Sequence, residues 1–214
     1  MAQASHPEPT QRPSPQCGQQ SQPTRTGVAP LVLPVQHQRL WDRLRYVQDG
    51  SVHLLGSELN GAPEDQLVLN RQRLGFIFQA HNLHESLTAM QSVRMGLEVH
   101  GRETMVRWRP AAVHLLTMLG LGDHLDYSPS NLSGGQMQRV AVARALIGNP
   151  DIVFADEPTA ALDKDSGRQV VSLLKRLGQA RNTTTLMVTH DNRILELADR
   201  IITMEDGRIV RDKV

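Results

Sequence analysis

The chain has 214 residues, 39% of them hydrophobic, which suffices for one sizeable domain with its own core. Its formal net charge is +1, so charge gives no argument for nucleic acid or an acidic membrane as a partner. The single cysteine, Cys17, excludes an internal disulfide and fits a reducing compartment, and no apolar run approaches the roughly 20 residues that cross a bilayer.

Residues 1–46 differ in composition from the rest of the chain. Seven of the twelve prolines lie at or before Pro34, among Gln, Ser and Thr. Proline removes backbone donors, and the segment has too little apolar surface to offset the entropy of ordering. We therefore expect residues 1–30 to be disordered, with a short helix after Pro34, and we expect no secretory signal because the charged-then-apolar pattern is missing.

Residues 47–214 alternate between strand and helix patterns. Runs of strand type lie at 51–59, 73–79, 151–158 and 183–190. Apolar residues recur at helical spacing in 87–100, 109–122 and 165–182. The run 200–210 predicts a hairpin that turns at Asp206–Gly207. The predicted fold class is therefore α/β with a mostly parallel sheet.

The stretch LSGGQ begins at Leu132. Ser133 can cap the N-terminus of the following helix, and Gln136 stands at the reciprocal position of a capping box. Gly134 and Gly135 leave the amides of the first turn bare, and bare amides at the positive end of a helix dipole favour phosphate. Taken alone, the pattern is equally that of an ordinary glycine-rich helix start.

The apolar run 152–155 ends in two carboxylates, as is typical of a parallel strand buried on both faces. Asp156 could hold Mg²⁺, usually through water, and Glu157 could polarise an attacking water. An Asp-Glu pair that merely caps a strand before Pro158 explains the same residues without chemistry.

Two further polar residues close predicted strands. Gln79 ends GFIFQ and could contact a metal or water beside a γ-phosphate, whereas a solvated loop glutamine is the plain alternative. His190 ends TLMVTH and could hydrogen-bond a γ-phosphate and hold water in line. A histidine after a strand is more often a loop residue, so the position of His190 matters more than its type.

The order and separation of these motifs resemble the nucleotide-binding domain of ABC transporters from about Val47 to Val214. The match extends to AALD at 160–163, which corresponds to the D-loop with Asp163 as its key residue, although Ala160 stands where that loop often begins with serine. IFQAHNLHESLTAMQSV and ADEPTAALD are most similar to the lipoprotein-release, macrolide-export and heterocyst glycolipid exporter group. The other correspondences are Gln79 for the Q-loop, Ser133, Gly134, Gly135 and Gln136 for the signature, Asp156 and Glu157 for Walker B, and His190 for the switch histidine.

The resemblance implies a P-loop NTPase-like ABC ATPase core with a mostly parallel sheet and a helical subdomain at about 80–150. It implies ATP and Mg²⁺ as cofactors, with Asp156 and Gln79 at the metal, and Glu157, His190 and Gln79 in catalysis. The signature residues and Asp163 would bind nucleotide. The expected partners are a membrane permease subunit and a second ATP-binding subunit, equal or different, with no nucleic acid, and the expected location is cytoplasmic, peripheral on the inner face of the plasma membrane.

One element of the family pattern has no counterpart. The family carries G-x-x-x-x-G-K-[ST] between its first buried strand and a helix, where amides, lysine and hydroxyl hold phosphates and Mg²⁺. No lysine precedes Lys164, and Gly18 and Gly27 are too far apart. The sequence therefore predicts a truncated core without the phosphate-loop strand. An out-of-frame reading of the gene before Val47 would explain the loss, and the nucleotide sequence tests that hypothesis.

Three functions stay open at this point. The chain could be the ATP-binding subunit of a transporter, with ATP hydrolysis impaired. It could instead be a non-catalytic remnant or partner module that supplies its signature face to an intact subunit. A soluble ABC-type ATPase of DNA repair or translation is disfavoured, because the stretch from Gln79 to Ser133 is too short for a coiled-coil insertion.

Overall fold

The computed structural model of the protein describes residues 28–32, 50–101 and 107–214, with only the backbone course for 28–32. The strands in these ranges are β1 Val28–Val32, β2 His53–Leu54, β3 Ser57–Glu58, β4 Leu74–Ile77, β5 Ile152–Asp156, β6 Thr184–Val188, β7 Ile201–Glu205 and β8 Arg208–Lys213. The α-helices are α1 Glu64–Gln72, α2 Ala89–Met95, α3 Trp108–Met118, α4 Gly134–Leu146 and α5 Lys164–Arg181. Turns of 3₁₀ helix lie at Gly122–His124, Pro129–Asn131 and Asn192–Leu197.

The main sheet has the strand order β4-β5-β6-β1-β7-β8. Each neighbouring pair from β4 to β7 is parallel, and β8 lies antiparallel to β7. Parallel neighbours need crossover connections, which α4 and α5 provide. The predicted α/β class with a mostly parallel sheet is confirmed, and so is the hairpin, since Asp206 and Gly207 both have positive φ angles, 48° and 76°.

Strand β1 differs from the sequence prediction. Residues up to 30 were expected to be disordered and the central strand to be missing, yet Val28–Val32 pairs in parallel with both β6 and β7. The run contains no polar side chain, and Pro30 removes only one backbone donor from it. The rest of the segment 1–46, including the expected helix after Pro34, lies outside the described residues, and the boundary at 46 stays a prediction.

The helix predictions agree with the structure in position and differ at the ends. Helix α2 ends at Met95, earlier than the predicted segment 87–100. Helix α5 follows its N-terminal cap Asp163 and ends at Arg181, and the next residue, Asn182, closes it in the left-handed backbone conformation. The run 51–59 is a small hairpin, β2–β3, rather than one edge strand. In the described ranges, none of the helices is both long and apolar enough to cross a membrane.

Helix α4 is the centre of the hydrophobic core. Its inner side chains are fully buried, among them Val140, Val142 and Leu146. Helices α2 and α3 and strand β4 all pack against it. A side chain at Gly75 of β4 would overlap the carbonyl oxygen of Ala145, so glycine is required for this close approach. The predicted subdomain limits of about 80 and 150 stay a prediction.

Candidate functional site

The carboxyl ends of the parallel strands bring four of the predicted residues to one edge of the sheet. Ile77 pairs with Ala155 and Asp156 with Val188, so β4, β5 and β6 end side by side. Gln79, Glu157 and His190 each follow one of these strands within two residues, and Asp156 is the last residue of β5. Loops at the carboxyl edge of such sheets are where ligands bind in open α/β folds.

Glu157 is held in place by three groups of the β6 end. Its side chain is 3% exposed, and its carboxylate accepts hydrogen bonds from the Thr189 hydroxyl at 3.2 Å and the His190 amide at 3.0 Å. The same carboxylate lies 2.6 Å from His190 Nδ1. The φ angle of Glu157 is +45°, a left-handed conformation that a side chain adopts only at a cost. Its amide donates to the carbonyl of Val188 at 2.9 Å, which fixes this conformation.

The contact between Glu157 and His190 joins a buried group to an exposed one. The His190 side chain is 75% exposed, so the imidazole can meet a ligand from solvent while its Nδ1 faces the buried carboxylate. A carboxylate at one ring nitrogen orients the imidazole and fixes its tautomer. The pair can therefore hold a water or a phosphate oxygen in a defined place.

Asp156 and Gln79 offer oxygen donors at the same edge. The Asp156 side chain is buried at the end of β5, and Gln79 is exposed two residues beyond β4. Mg²⁺ binds carboxylate and amide oxygens and completes its shell with water and substrate phosphates. No group of three or more His, Cys, Asp or Glu in the described ranges could hold a metal by itself. The donor set thus fits Mg²⁺ in the company of a phosphate, and does not fit a metal held by protein ligands alone.

The signature turn has the capping geometry that its sequence predicts. The Ser133 hydroxyl accepts from the Gln136 amide at 3.3 Å, and the Gln136 side-chain oxygen accepts from the Ser133 amide at 2.8 Å. The side-chain nitrogen of Gln136 lies 3.2 Å from His124 Nε2. Gly134 and Gly135 follow the cap, so the first turn of α4 carries no side chain at those positions.

The signature turn lies beside the D-loop rather than beside the edge residues. A Cβ atom on Gly134 would be 3.7 Å from the carbonyl oxygen of Ala161, and one on Gly135 would be 3.6 Å from Ser166 Cβ. Asp163 caps α5, accepting from the Asp165 and Ser166 amides at 3.0 Å each. The hydrogen bond from the Ser166 side chain lowers the pKa of Asp163 below its ordinary value.

The comparison with protein families decides what this arrangement is. The sequence profile described as "ABC transporter" matches residues 39–160, more than half of the chain. The chain belongs to the ABC transporter family. It is an ATP-binding domain of that family, since the similar proteins are named as ATP-binding proteins and the similar structures as ATP-binding cassettes.

Individual relatives support the assignment over most of the chain. The macrolide export ATP-binding/permease protein MacB of Shewanella sp. (strain W3-18-1) is 44% identical over 77% of this chain, which spans only 25% of that protein. The uncharacterised ABC transporter ATP-binding protein MJ1508 of Methanocaldococcus jannaschii is 44% identical over 75% of this chain and 71% of its own length. A dimeric ATP-binding cassette, MJ0796 bound to ADP and Pi, is 33% identical, with a TM-score of 0.73 over 88% of this chain and 85% of that one.

In this ABC domain, the turn that contains His190 is stabilised by residues that the sequence analysis did not identify. Asp191 accepts from the Thr159 hydroxyl at 3.1 Å, and its amide donates to the Thr189 hydroxyl at 3.0 Å. Arg193 contacts both Asp191 oxygens at 2.7 Å. Thr159 and Thr189 are fully buried, so this network fixes the turn after β6 against the turn after β5. The only sequence signal for it is that an aspartate directly follows His190.

Arg193→Gln is expected to raise the pKa of Asp191 from about 2 towards its ordinary 3.8, because the Arg193 hydrogen bonds are the main cause of the lowering. A carboxyl group whose pKa is lower in the folded than in the unfolded chain stabilises the fold at pH values above its unfolded-state pKa. That contribution is lost as pH falls from about 4 to about 2. The variant should therefore show a weaker loss of stability over this pH range. Carboxyl ¹³C NMR titration and urea unfolding measure both quantities, with the exposed Arg208→Gln as control. An unchanged Asp191 midpoint would contradict the assignment of the cause to Arg193.

Proposed function

We propose that the chain is the ATP-binding subunit of an ABC transporter, which couples ATP binding and hydrolysis to transport by a membrane partner. The observation that carries the proposal is the meeting of Gln79, Asp156, Glu157 and His190 at one carboxyl edge. Those groups suit phosphoryl transfer to water, a reaction that depends on positioning and charge more than on covalent chemistry.

Each edge residue has a role that its surroundings support. Glu157, buried and held by Thr189, orients and polarises the attacking water. His190, exposed and in contact with Glu157, hydrogen-bonds the γ-phosphate. Asp156 and Gln79 would hold Mg²⁺, which neutralises phosphate charge when bound.

The signature face is proposed to serve a nucleotide on a second subunit. Bare amides at the start of α4 favour phosphate, yet this turn lies against Ala161 and Ser166 and not beside Glu157. A nucleotide between the edge of one subunit and the signature of another would use both faces. The dimeric form of the MJ0796 cassette supports pairing, and the combined ATP-binding/permease name of MacB supports a permease partner at the inner face of the membrane.

A second candidate function is a partner module without its own hydrolysis. Strand β1 ends at Val32 between β6 and β7, where the family has its phosphate loop, but residues 33–40 read LPVQHQRL and contain neither glycine nor lysine. The signature turn is intact on the same chain. Such a chain could complete one ATP site of a pair in which the other subunit supplies the phosphate loop.

ATP titration of the purified chain, with and without an intact ATP-binding subunit of the family, tests these functions. The chain alone is expected to bind ATP with a dissociation constant above about 1 mM, worth less than about 4 kcal/mol, because the phosphate grip is missing. With the intact subunit, ATP should drive a one-to-one pair. The control is Gly135→Ala, which adds a methyl group at ordinary contact distance from Ser166 and covers the bare turn.

Three outcomes would contradict the proposal in different ways. Micromolar ATP affinity of the isolated chain would remove the impairment and with it the need for an intact partner. ATP-independent pairing that Gly135→Ala leaves unchanged would separate the pairing from the signature face. Co-purification with nucleic acid instead of a permease would favour a soluble ATPase.

A further inference from the structure

Arg144, in the last turn of α4, contacts the segment that follows Gln79. Its guanidinium donates to the carbonyl oxygens of His81, at 2.8 Å, and of Asn82. These acceptors lie only two and three residues beyond Gln79 along the chain, but more than 60 residues from Arg144. We call His81 and Asn82 the 81–82 turn.

The 81–82 turn has a backbone conformation that needs support. His81 and Asn82 both have left-handed φ angles, 60° and 50°, which are unfavourable for residues with side chains, especially in succession. Local hydrogen bonds from their amides to Phe78 and Ala80 close the turn. The planar fork of an arginine can serve two neighbouring carbonyl groups at once, as a lysine ammonium cannot in the same geometry.

Arg144 itself stands on a fixed base. A side chain at Gly96 of α2 would overlap the Arg144 carbonyl oxygen, so α2 lies directly against this turn of α4. Arg181 of α5 donates to the carbonyl of Leu146 at 3.3 Å. Burial lowers the pKa of Arg144, and its two carbonyl acceptors offset part of the cost of desolvating the guanidinium. The end of α4 is therefore rigidly placed between the sheet and α2.

We propose that Arg144 is a positioning residue for Gln79. It fixes the 81–82 turn to the last turn of α4 and so holds the side-chain amide of Gln79 at the carboxyl edge of the sheet. The first turn of the same helix carries the signature residues, about 15 Å away at 1.5 Å per residue. One rigid helix thus connects the segment after Gln79 with the signature face. The role of Gln79 in ATP binding and hydrolysis rests on the proposed function, whereas the positioning of Gln79 by Arg144 does not.

Hydrogen–deuterium exchange of the nucleotide-free chain tests this role. Arg144→Gln is expected to speed exchange in peptides covering 79–87 by at least tenfold while the sheet strands β5 and β6 change little. Arg144→Lys, which keeps the charge and can reach one carbonyl, should show an intermediate rate. Val171→Ala removes buried volume from α5 and serves as a control for general loss of stability, followed by the urea midpoint.

A second measurement keeps the test decisive if a variant is less stable. The side-chain amide resonances of Gln79, assigned with Gln79→Glu, should shift in Arg144→Gln and stay in place in Val171→Ala. Unchanged Gln79 resonances, or exchange that rises by the same factor in 79–87 and in the sheet, would overturn the proposal. Because neither measurement uses nucleotide, a failure of ATP-dependent pairing leaves these results standing, and the two proposals fail separately.

Discussion

A phosphate loop placed after β1 is expected to raise the ATP affinity of the chain by about 1,000-fold, or about 4 kcal/mol. Residues 33–40 become G-x-x-x-x-G-K-S through the changes Leu33→Gly, Gln38→Gly, Arg39→Lys and Leu40→Ser. Glycines let the backbone amides approach the phosphates, and the lysine neutralises them. Isothermal titration with ATP and Mg²⁺ measures the gain.

The position of β1 is the physical reason for this expectation. The strand pairs with β6 through Pro30 and Met187, so the chain leaves it at the edge where Glu157 and His190 lie. A loop that begins at residue 33 therefore starts beside the residues that would meet the γ-phosphate. The position of β1 in the sheet, rather than its sequence, is the reason that the designed phosphate loop starts at residue 33.

The matched control is a variant that carries the other three substitutions and keeps Arg39. It provides the glycines and the hydroxyl without the lysine, and should recover only part of the affinity. Circular dichroism and the urea midpoint establish that both variants fold. If the complete loop gives a folded chain without ATP binding, β1 does not stand where the family's phosphate-loop strand stands, and the remaining site is not competent for nucleotide.

The edge residues could be predicted from the sequence because each is tied to the end of its own strand. Apolar runs identify β4, β5 and β6, and the polar residue that closes each run follows within two positions. Parallel strands then place these residues side by side without any knowledge of long-range contacts. The cap at Ser133 was predictable for the same reason, since Gln136 is only three residues away.

What the sequence could not predict depends on distant partners or on an exception to a rule. Arg144 binds backbone carbonyls more than 60 residues away, and a carbonyl acceptor leaves no trace in residue type. The Thr159–Asp191 hydrogen bond spans 32 residues in the same way. Strand β1 was missed because Pro30 argues against a central strand, although the five-residue run is otherwise apolar.

Glu157→Gln, made in the chain that carries the grafted loop, is expected to lower ATP turnover by about 100-fold or more while ATP binding is retained. The substitution keeps the size of the side chain and removes the negative charge that polarises water. The glutamine oxygen can still accept from the His190 amide, and the glutamine nitrogen can donate to the Thr189 hydroxyl, so the turn keeps hydrogen-bonding partners.

Phosphate release under saturating ATP and equilibrium ATP binding separate the two effects of this substitution. Glu98→Gln, which neutralises an exposed carboxylate after α2, should leave both unchanged. Turnover that survives Glu157→Gln would assign water activation to another group at the edge of the sheet. His190→Ala would then test whether His190 is that group. A parallel loss of binding would instead mean that the buried carboxylate organises the turn that meets the phosphates, because Glu157 contacts His190 directly at 2.6 Å.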